Sequence, residues 1–209
     1  MTVENKIKIG VFVSGGGTNL QALIDAQTCG KLKSGEIVLV VSSKPDVYAL
    51  ERAANAGIPA AVANRKLLRE QESFEEMLTE LLDESQVEVI VLAGFLSILS
   101  ESFVKKYEKR IINVHPSLIP SFCGDGFYGL RVHEAALARG VKVTGATVHF
   151  VNEITDGGEI ILQKAVSVKN GDTPETLQRR VMEEAEWKIL PEAVELVCQK
   201  IAKNKIKGE

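Results

Sequence analysis

The sequence predicts an α/β fold: an open, mostly parallel, Rossmann-like sheet with helices on both faces and an antiparallel hairpin at its C-terminal end. Three observations carry that reading. Strand-like runs alternate with helical periods through the first half of the chain, which is the rhythm of repeated strand-helix-strand units. Near-continuous apolar runs such as "VEVIVLAG" suit strands buried on both faces. Finally, "VKVTGATVHFV" and "EIILQKAVSV" flank "NEITDGG", a short polar connection of the kind that joins antiparallel strands.

In chain order, "IKIGVFVS" is the first strand, followed by a helix from about Thr18, the strand "EIVLVVSS", a helix over "VYALERAANAG" and a short strand in "IPAAVA". A polar helix runs from about Glu70 to Glu84, and "VEVIVLAG" and "RIINVHPS" then form the centre of the parallel sheet. The last helix opens at "DTPETL", with Thr173 as N-cap and Pro174 at the first helical position, and Pro191 inside it predicts a kink. With 209 residues, 45% of them hydrophobic, and no repeat, low-complexity tract or long linker, the expectation is one domain over residues 1–209.

The formal net charge is −3, with both signs intermixed, so no basic face is available for nucleic acid or an anionic membrane. Cys29, Cys123 and Cys198 are odd in number, scattered and without CxxC spacing, which argues against a disulfide framework and a zinc site. A reducing compartment fits, and no apolar run reaches the ~18 residues of a membrane span. "MTVENKIKIG" lacks a signal-peptide core, so the expected location is the cytoplasm.

Three glycines separate the first strand from the first helix in "VFVSGGGTNLQALIDA". Such a turn offers backbone N–H groups and the positive end of a helix dipole to an anion. The dinucleotide pattern G-x-G-x-x-G is met only by Gly15 and Gly17, because Leu20 holds the third position, and no acidic residue ends the second strand. No Gly-Lys-Ser/Thr comes after the glycines, which excludes a P-loop. The remaining possibilities are a cradle for one phosphate monoester with Thr18 and Asn19 as extra donors, or a tight turn in which Thr18 is merely the N-cap.

Asn113 and His115 in "INVHPSLIP" stand at i and i+2 of a strand, so their side chains leave one face and can act on one atom. Pro116 keeps His115 extended and ends the strand, at the carboxyl end where open α/β sheets bind ligands. Histidine titrates near neutral pH and asparagine adds a neutral donor, a pair suited to a developing oxyanion. Taken singly, the histidine also fits a structural role, and Asp156, in an Asp-Gly pair between two strands, also fits a turn. No carboxylate or second histidine has metal-ligand spacing, so no metal is expected.

In order along the chain, "SGGGTNLQALIDA", "VLAGFLSILS", "NVHPSLIP", "GATVHFV" and "TDGGEIILQ" resemble the glycinamide ribonucleotide formyltransferases, purine-pathway enzymes that use 10-formyltetrahydrofolate. The resemblance runs from about Lys6 to Pro191 and implies the formyltransferase fold. It implies that the backbone and side chains of Gly17, Thr18 and Asn19 hold the 5′-phosphate of glycinamide ribonucleotide, and that Asn113, His115 and Asp156 form the catalytic group. It places formyl-folate against Leu92, Ser97, Ile98 and Leu99 and against Asn152, Glu153, Ile154 and Thr155, with His149 supporting. A substrate glutamate ahead of the final-helix proline matches Glu186 only if one extra residue is accepted upstream in "EEAEWKILP"; Glu183 and Glu184 are substitutes. Many relatives carry a basic residue where this chain has Ser97, and "SFCGDGFYGLRVHEAA" is longer than its usual equivalent, suggesting a loop beside the substrate. His133 is read as a surface or capping residue.

The rivals are formyltetrahydrofolate deformylase, methionyl-tRNA formyltransferase and an idle nucleotide- or folate-binding module. The first usually has an N-terminal regulatory domain, whereas this chain opens on the first strand. The second has a C-terminal tRNA-binding domain, whereas about ten residues are expected after the last long helix. The third is disfavoured because Asn113, His115 and Asp156 are all present. The expected partners are small-molecule substrates, and the expected state is a monomer or homodimer.

Overall fold

Strands β1 (Ile7–Val13), β2 (Gly35–Ser42), β3 (Ala60–Val62), β4 (Val89–Leu92), β5 (Ile111–His115), β6 (Val143–Phe150) and β7 (Ile160–Ser167) form one sheet. The computed structural model describes residues 6–207, so residues 1–5 and 208–209 of the expected domain lie outside the described residues. Across the sheet the order is β3-β2-β1-β4-β5-β6-β7. The first five strands are parallel, β6 is antiparallel to β5, and β7 is antiparallel to β6, as the sequence pattern predicts. The chain winds outward from β1 to β3 and then returns to β4 on the other side of β1. That reversal makes a switch point, and the crevice of such a sheet opens at the carboxyl ends of its strands.

The helices are α1 (Thr18–Thr28), α2 (Tyr48–Asn55), α3 (Gln71–Glu84), α4 (Glu101–Lys106), α5 (Leu130–Arg139), α6 (Pro174–Val181) and α7 (Trp187–Lys207), with a π turn at Met182–Glu186 between the last two. Period-two alternation distributes each central strand between two cores. Ile7, Ile9, Val11 and Val13 of β1 meet Leu20, Leu23, Ala49, Val181, Leu190 and Val194 on one face. Phe12 of the same strand faces Phe74, Leu78 and Leu82 of α3 and Phe103 of α4 on the other. This two-sided burial explains why the strands read as continuous apolar runs.

The last helical segment starts as expected: the Thr173 side chain accepts from Thr176 N–H, Thr176 returns the bond, and Pro174 comes directly after the cap. Beyond it, the helix runs through Pro191 to Lys207. The expectation of about ten residues after the last long helix is therefore corrected; most of that segment is helical. The departure from α-geometry lies upstream of Pro191, in the π turn.

Candidate active site

β1 ends at Val13, and the next residues turn sharply into α1. Gly17 is the N-cap with φ 70°, and a Cβ there would sit 2.7 Å from Ala49 Cβ, so left-handed backbone and close approach to α2 both require glycine. The Gly15 carbonyl accepts from Ala49 N–H at 3.2 Å, and the Gly16 carbonyl accepts from Arg52 Nε at 2.8 Å. With these carbonyls turned onto α2, the next peptide N–H groups point the opposite way, as an anion-binding nest requires. Gly17, not Thr18, is the cap, and it makes no side-chain cap bond, so the alternative of Thr18 as N-cap is corrected.

The side chains expected to assist the cradle are directed elsewhere. Thr18 Oγ1 contacts Met182 Sδ at 3.9 Å, and Asn19 Nδ2 donates to Glu186 Oε2 at 2.6 Å. An anion at this loop would therefore meet backbone N–H groups rather than these side chains. Glu186 is 6% exposed, and burial pushes its carboxyl up to about 6 against the lowering effect of the Asn19 amide. The π turn, with its Trp187 N–H to Met182 carbonyl bond, takes in one residue more than an α turn. This surplus falls in the stretch where matching Glu186 requires one extra residue; Glu183 and Glu184 are exposed.

A second cluster forms where β5 meets β6. Asn113 pairs with His149 and His115 with Thr147 across the ladder, so all four side chains share one face. The connection from β6 to β7 folds back to bring Asp156 to that face. Asp156 has φ 55° and is followed by glycines, so the turn chemistry is present; a Cβ on Gly158 would lie 1.8 Å from the Phe150 carbonyl oxygen. The carboxylate then does more than turn the chain. Oδ2 lies 3.3 Å from His115 Nδ1 and accepts from Gly124 N–H at 2.9 Å, while Oδ1 lies 3.5 Å from both Asn113 Nδ2 and His149 Nε2. Burial raises its pKa, but the His149 contact, the Gly124 N–H and the charges of His115 and His149 together outweigh this and leave it below the ordinary value.

His115 is 4% exposed, and its Nε2 lies 2.9 Å from the Phe122 carbonyl. That carbonyl can only accept, so Nε2 carries a proton; the imidazolium alone satisfies both this contact and Asp156. Burial opposes the charge and lowers the His115 pKa, with Phe122 and Asp156 pulling the other way. His149, 1% exposed, donates from Nδ1 to the Phe150 carbonyl at 2.8 Å, and its Nε2 lies 3.2 Å from Asn113 Nδ2.

The folate-side residues fall into two groups. Leu92 is 8% exposed and packs in the α3-side core, with Leu99 partly buried beside it. Ile98 and Ile154 are exposed at 84% and 63%, an apolar rim; Ser97 and Asn152 are half-buried, and Glu153 and Thr155 are exposed. Asn152 Oδ1 accepts from Ile154 N–H, and Thr155 Oγ1 donates to Asp125, tying the β6–β7 connection to the long loop. Ser14 links the remaining parts: its hydroxyl contacts Ser43 Oγ at 2.6 Å and accepts from Leu96 N–H at 2.9 Å.

Sequence reasoning missed the Phe122 carbonyl, the Gly124 N–H and Arg52, and misplaced His133. His133 is fully buried in α5, not a surface or capping residue, and both ring nitrogens lack hydrogen-bond partners. Burial, with His115 nearby, pushes it down to about 4. Among the described residues, no group of three or more His, Cys, Asp or Glu is placed to hold a metal ion. Among the same residues, no helix is long and apolar enough to cross a membrane. A groove of ≈ 680 Å³ between α1 and α7 reaches the glycine loop at Thr18 and Arg52, and neither His115 nor Asp156 lines it.

The formyl transferase family model matches residues 7–194. The chain is 50% identical over 194 residues to the trifunctional purine biosynthetic protein adenosine-3 of Gallus gallus, covering 93% of this chain and 19% of that protein. It is 39% identical over 193 residues to the chloroplastic phosphoribosylglycinamide formyltransferase of Arabidopsis thaliana, covering 92% of this chain and 65% of that one. The crystal structure of glycinamide ribonucleotide transformylase 1 from Symbiobacterium toebii superposes with a TM-score of 0.87 at 41% identity, covering 93% of this chain and 89% of that one. Matched along almost its whole length in sequence and in structure, the chain belongs to the formyl transferase family, among its glycinamide ribonucleotide transformylases.

Proposed function

We propose that this chain transfers the formyl group of 10-formyltetrahydrofolate to the amine of glycinamide ribonucleotide, in purine biosynthesis, as a single cytoplasmic catalytic domain. The observation that carries the reading is the convergence of Asn113, His115 and Asp156 at the end of β5, two strands from the glycine loop at the end of β1. Two strand spacings are roughly 10 Å, a span suited to a ribose phosphate carrying a short amine arm. The backbone N–H groups at Gly17, Thr18 and Asn19 hold the phosphate, and Glu186 meets the ribose or amine. The pteridine lies between the 92–99 and 152–156 segments.

In the reaction the amine nitrogen attacks the formyl carbon, and the carbonyl oxygen gains negative charge. Asn113 Nδ2 and His115 Nε2 donate to that oxygen, which takes the place of the Phe122 carbonyl at Nε2. Asp156 stabilises the charged imidazole from the Nδ1 side and assists proton movement from the attacking amine to the folate nitrogen as the carbon–nitrogen bond to folate breaks. The expected outcome of incubating the protein with 10-formyltetrahydrofolate is turnover only when the ribonucleotide is added. Formate release without an amine acceptor would instead make the protein a deformylase.

A further inference from the structure

Two adjacent side chains in the first turn of α1 reach the same turn of the C-terminal helix. Thr18 meets Met182 and Asn19 meets Glu186, the first and last residues of the π turn. Asn19 and Glu186 are separated by 167 residues in sequence and are 8% and 6% exposed. Among the described residues, Asn19 is the only hydrogen-bond donor to the Glu186 carboxylate. One extra residue in a helix rotates every later side chain by about 100°, so the π turn sets which way Glu186 faces and Asn19 fixes it there.

The amide has one workable orientation. Asn19 Oδ1 is buried without a partner, and exchanging it with Nδ2 would set an oxygen against the carboxylate. A phosphate dianion at this side chain would likewise meet a carboxylate 2.6 Å from the amide nitrogen. We infer that Asn19 is a positioning residue for Glu186: its side chain orients the carboxylate for the ribose or amine end of the substrate, while its backbone N–H alone serves the phosphate. This role rests on the reading of Glu186 as a substrate contact.

Equilibrium binding of glycinamide ribonucleotide and of its dephosphorylated nucleoside tests the role. Asn19→Ala is expected to weaken both ligands by the same factor, about tenfold or more, as for a lost hydrogen bond to a charged group. In a Glu186→Gln background the further loss is expected to be under about threefold, because the two residues act as one unit. Asn19→Asp, which opposes two carboxylates, is expected to bind at least as poorly as Asn19→Ala. Combined with Glu186→Gln, which restores a donor–acceptor pair with the roles exchanged, it is expected to return to within about threefold of Glu186→Gln alone. A loss confined to the phosphorylated ligand, or losses that multiply in the double variants, would overturn the inference while leaving the proposed function in place. Failure of the unsubstituted protein to bind the ribonucleotide would overturn the function and this role together.

Discussion

Replacing Glu186 by glutamine removes a buried charge while keeping an acceptor for the Asn19 amide, so stability and activity are expected to move in opposite directions. The carboxyl titrates at about 6 in the folded protein against 4.5 in its ordinary state. At about 1.36 kcal/mol for each pH unit between them, this is about 2 kcal/mol. A raised folded-state pKa means that the folded protein binds the proton more tightly. Its contribution is fully present below pH 4.5 and is lost as pH rises through about 6. Glu186→Gln is therefore expected to be more stable than the unsubstituted protein by about 2 kcal/mol at about pH 8, with the gain falling below about 1 kcal/mol at about pH 5. With a urea dependence of about 2 kcal/mol/M, the unfolding midpoint at about pH 8 moves up by about 1 M. The same variant is expected to bind the ribonucleotide less well. Equal or lower stability at the higher pH, or a gain unchanged between the two pH values, would refute the assignment of a desolvated, ionised carboxylate at this position.

Other tests come from the two clusters. Removing the 5′-phosphate from the substrate is expected to lower kcat/KM by more than about tenfold, because a charged hydrogen-bond set is worth roughly 1.5 to 3 kcal/mol; a change within about threefold would refute the cradle. Asn113→Ala and His115→Ala are each expected to lower kcat by about a hundredfold or more, and the double variant is expected to fall short of the product of the two losses. Multiplicative losses in steady-state assays would separate the pair. His133, held near 4 against an ordinary 6.5, is neutral on folding, so its contribution is fully present above 6.5 and is lost as pH falls through about 4. His133→Met is expected to flatten the acid side of the stability profile, and parallel profiles in urea titrations would contradict that.

The fold was legible because its central strands, buried on both faces, read as continuous apolar runs, and because a short polar connection marks the hairpin. The placement of Asn113 and His115 at the carboxyl end of a parallel strand was equally legible, whereas the two-strand separation from the glycine loop emerges only from the strand order. Short α4 and amphipathic α5 were not legible, and His133 was placed on the surface although its neighbours Val132 and Ala136 mark a buried face. The π turn has no compositional signature; one surplus residue before Pro191 was its only trace. Contacts made by backbone groups, such as the Phe122 carbonyl on His115 and the Gly124 N–H on Asp156, are equally silent in sequence. The Asn19 side chain was misdirected because its partner is 167 residues away, beyond any local pattern.

Asp156 decides the central claim, since both a turn residue and a catalytic carboxylate can occupy its left-handed backbone position. Asparagine keeps the shape and the turn propensity but lacks the charge that faces His115 Nδ1. The measurement is kcat of Asp156→Asn alongside its thermal midpoint and nucleotide affinity. The predicted result is a midpoint and affinity close to those of the unsubstituted protein, with kcat lower by roughly 10² to 10⁴. Retention of more than about a third of the original kcat would return Asp156 to the turn and contradict the assignment of Asn113, His115 and Asp156 as one catalytic group.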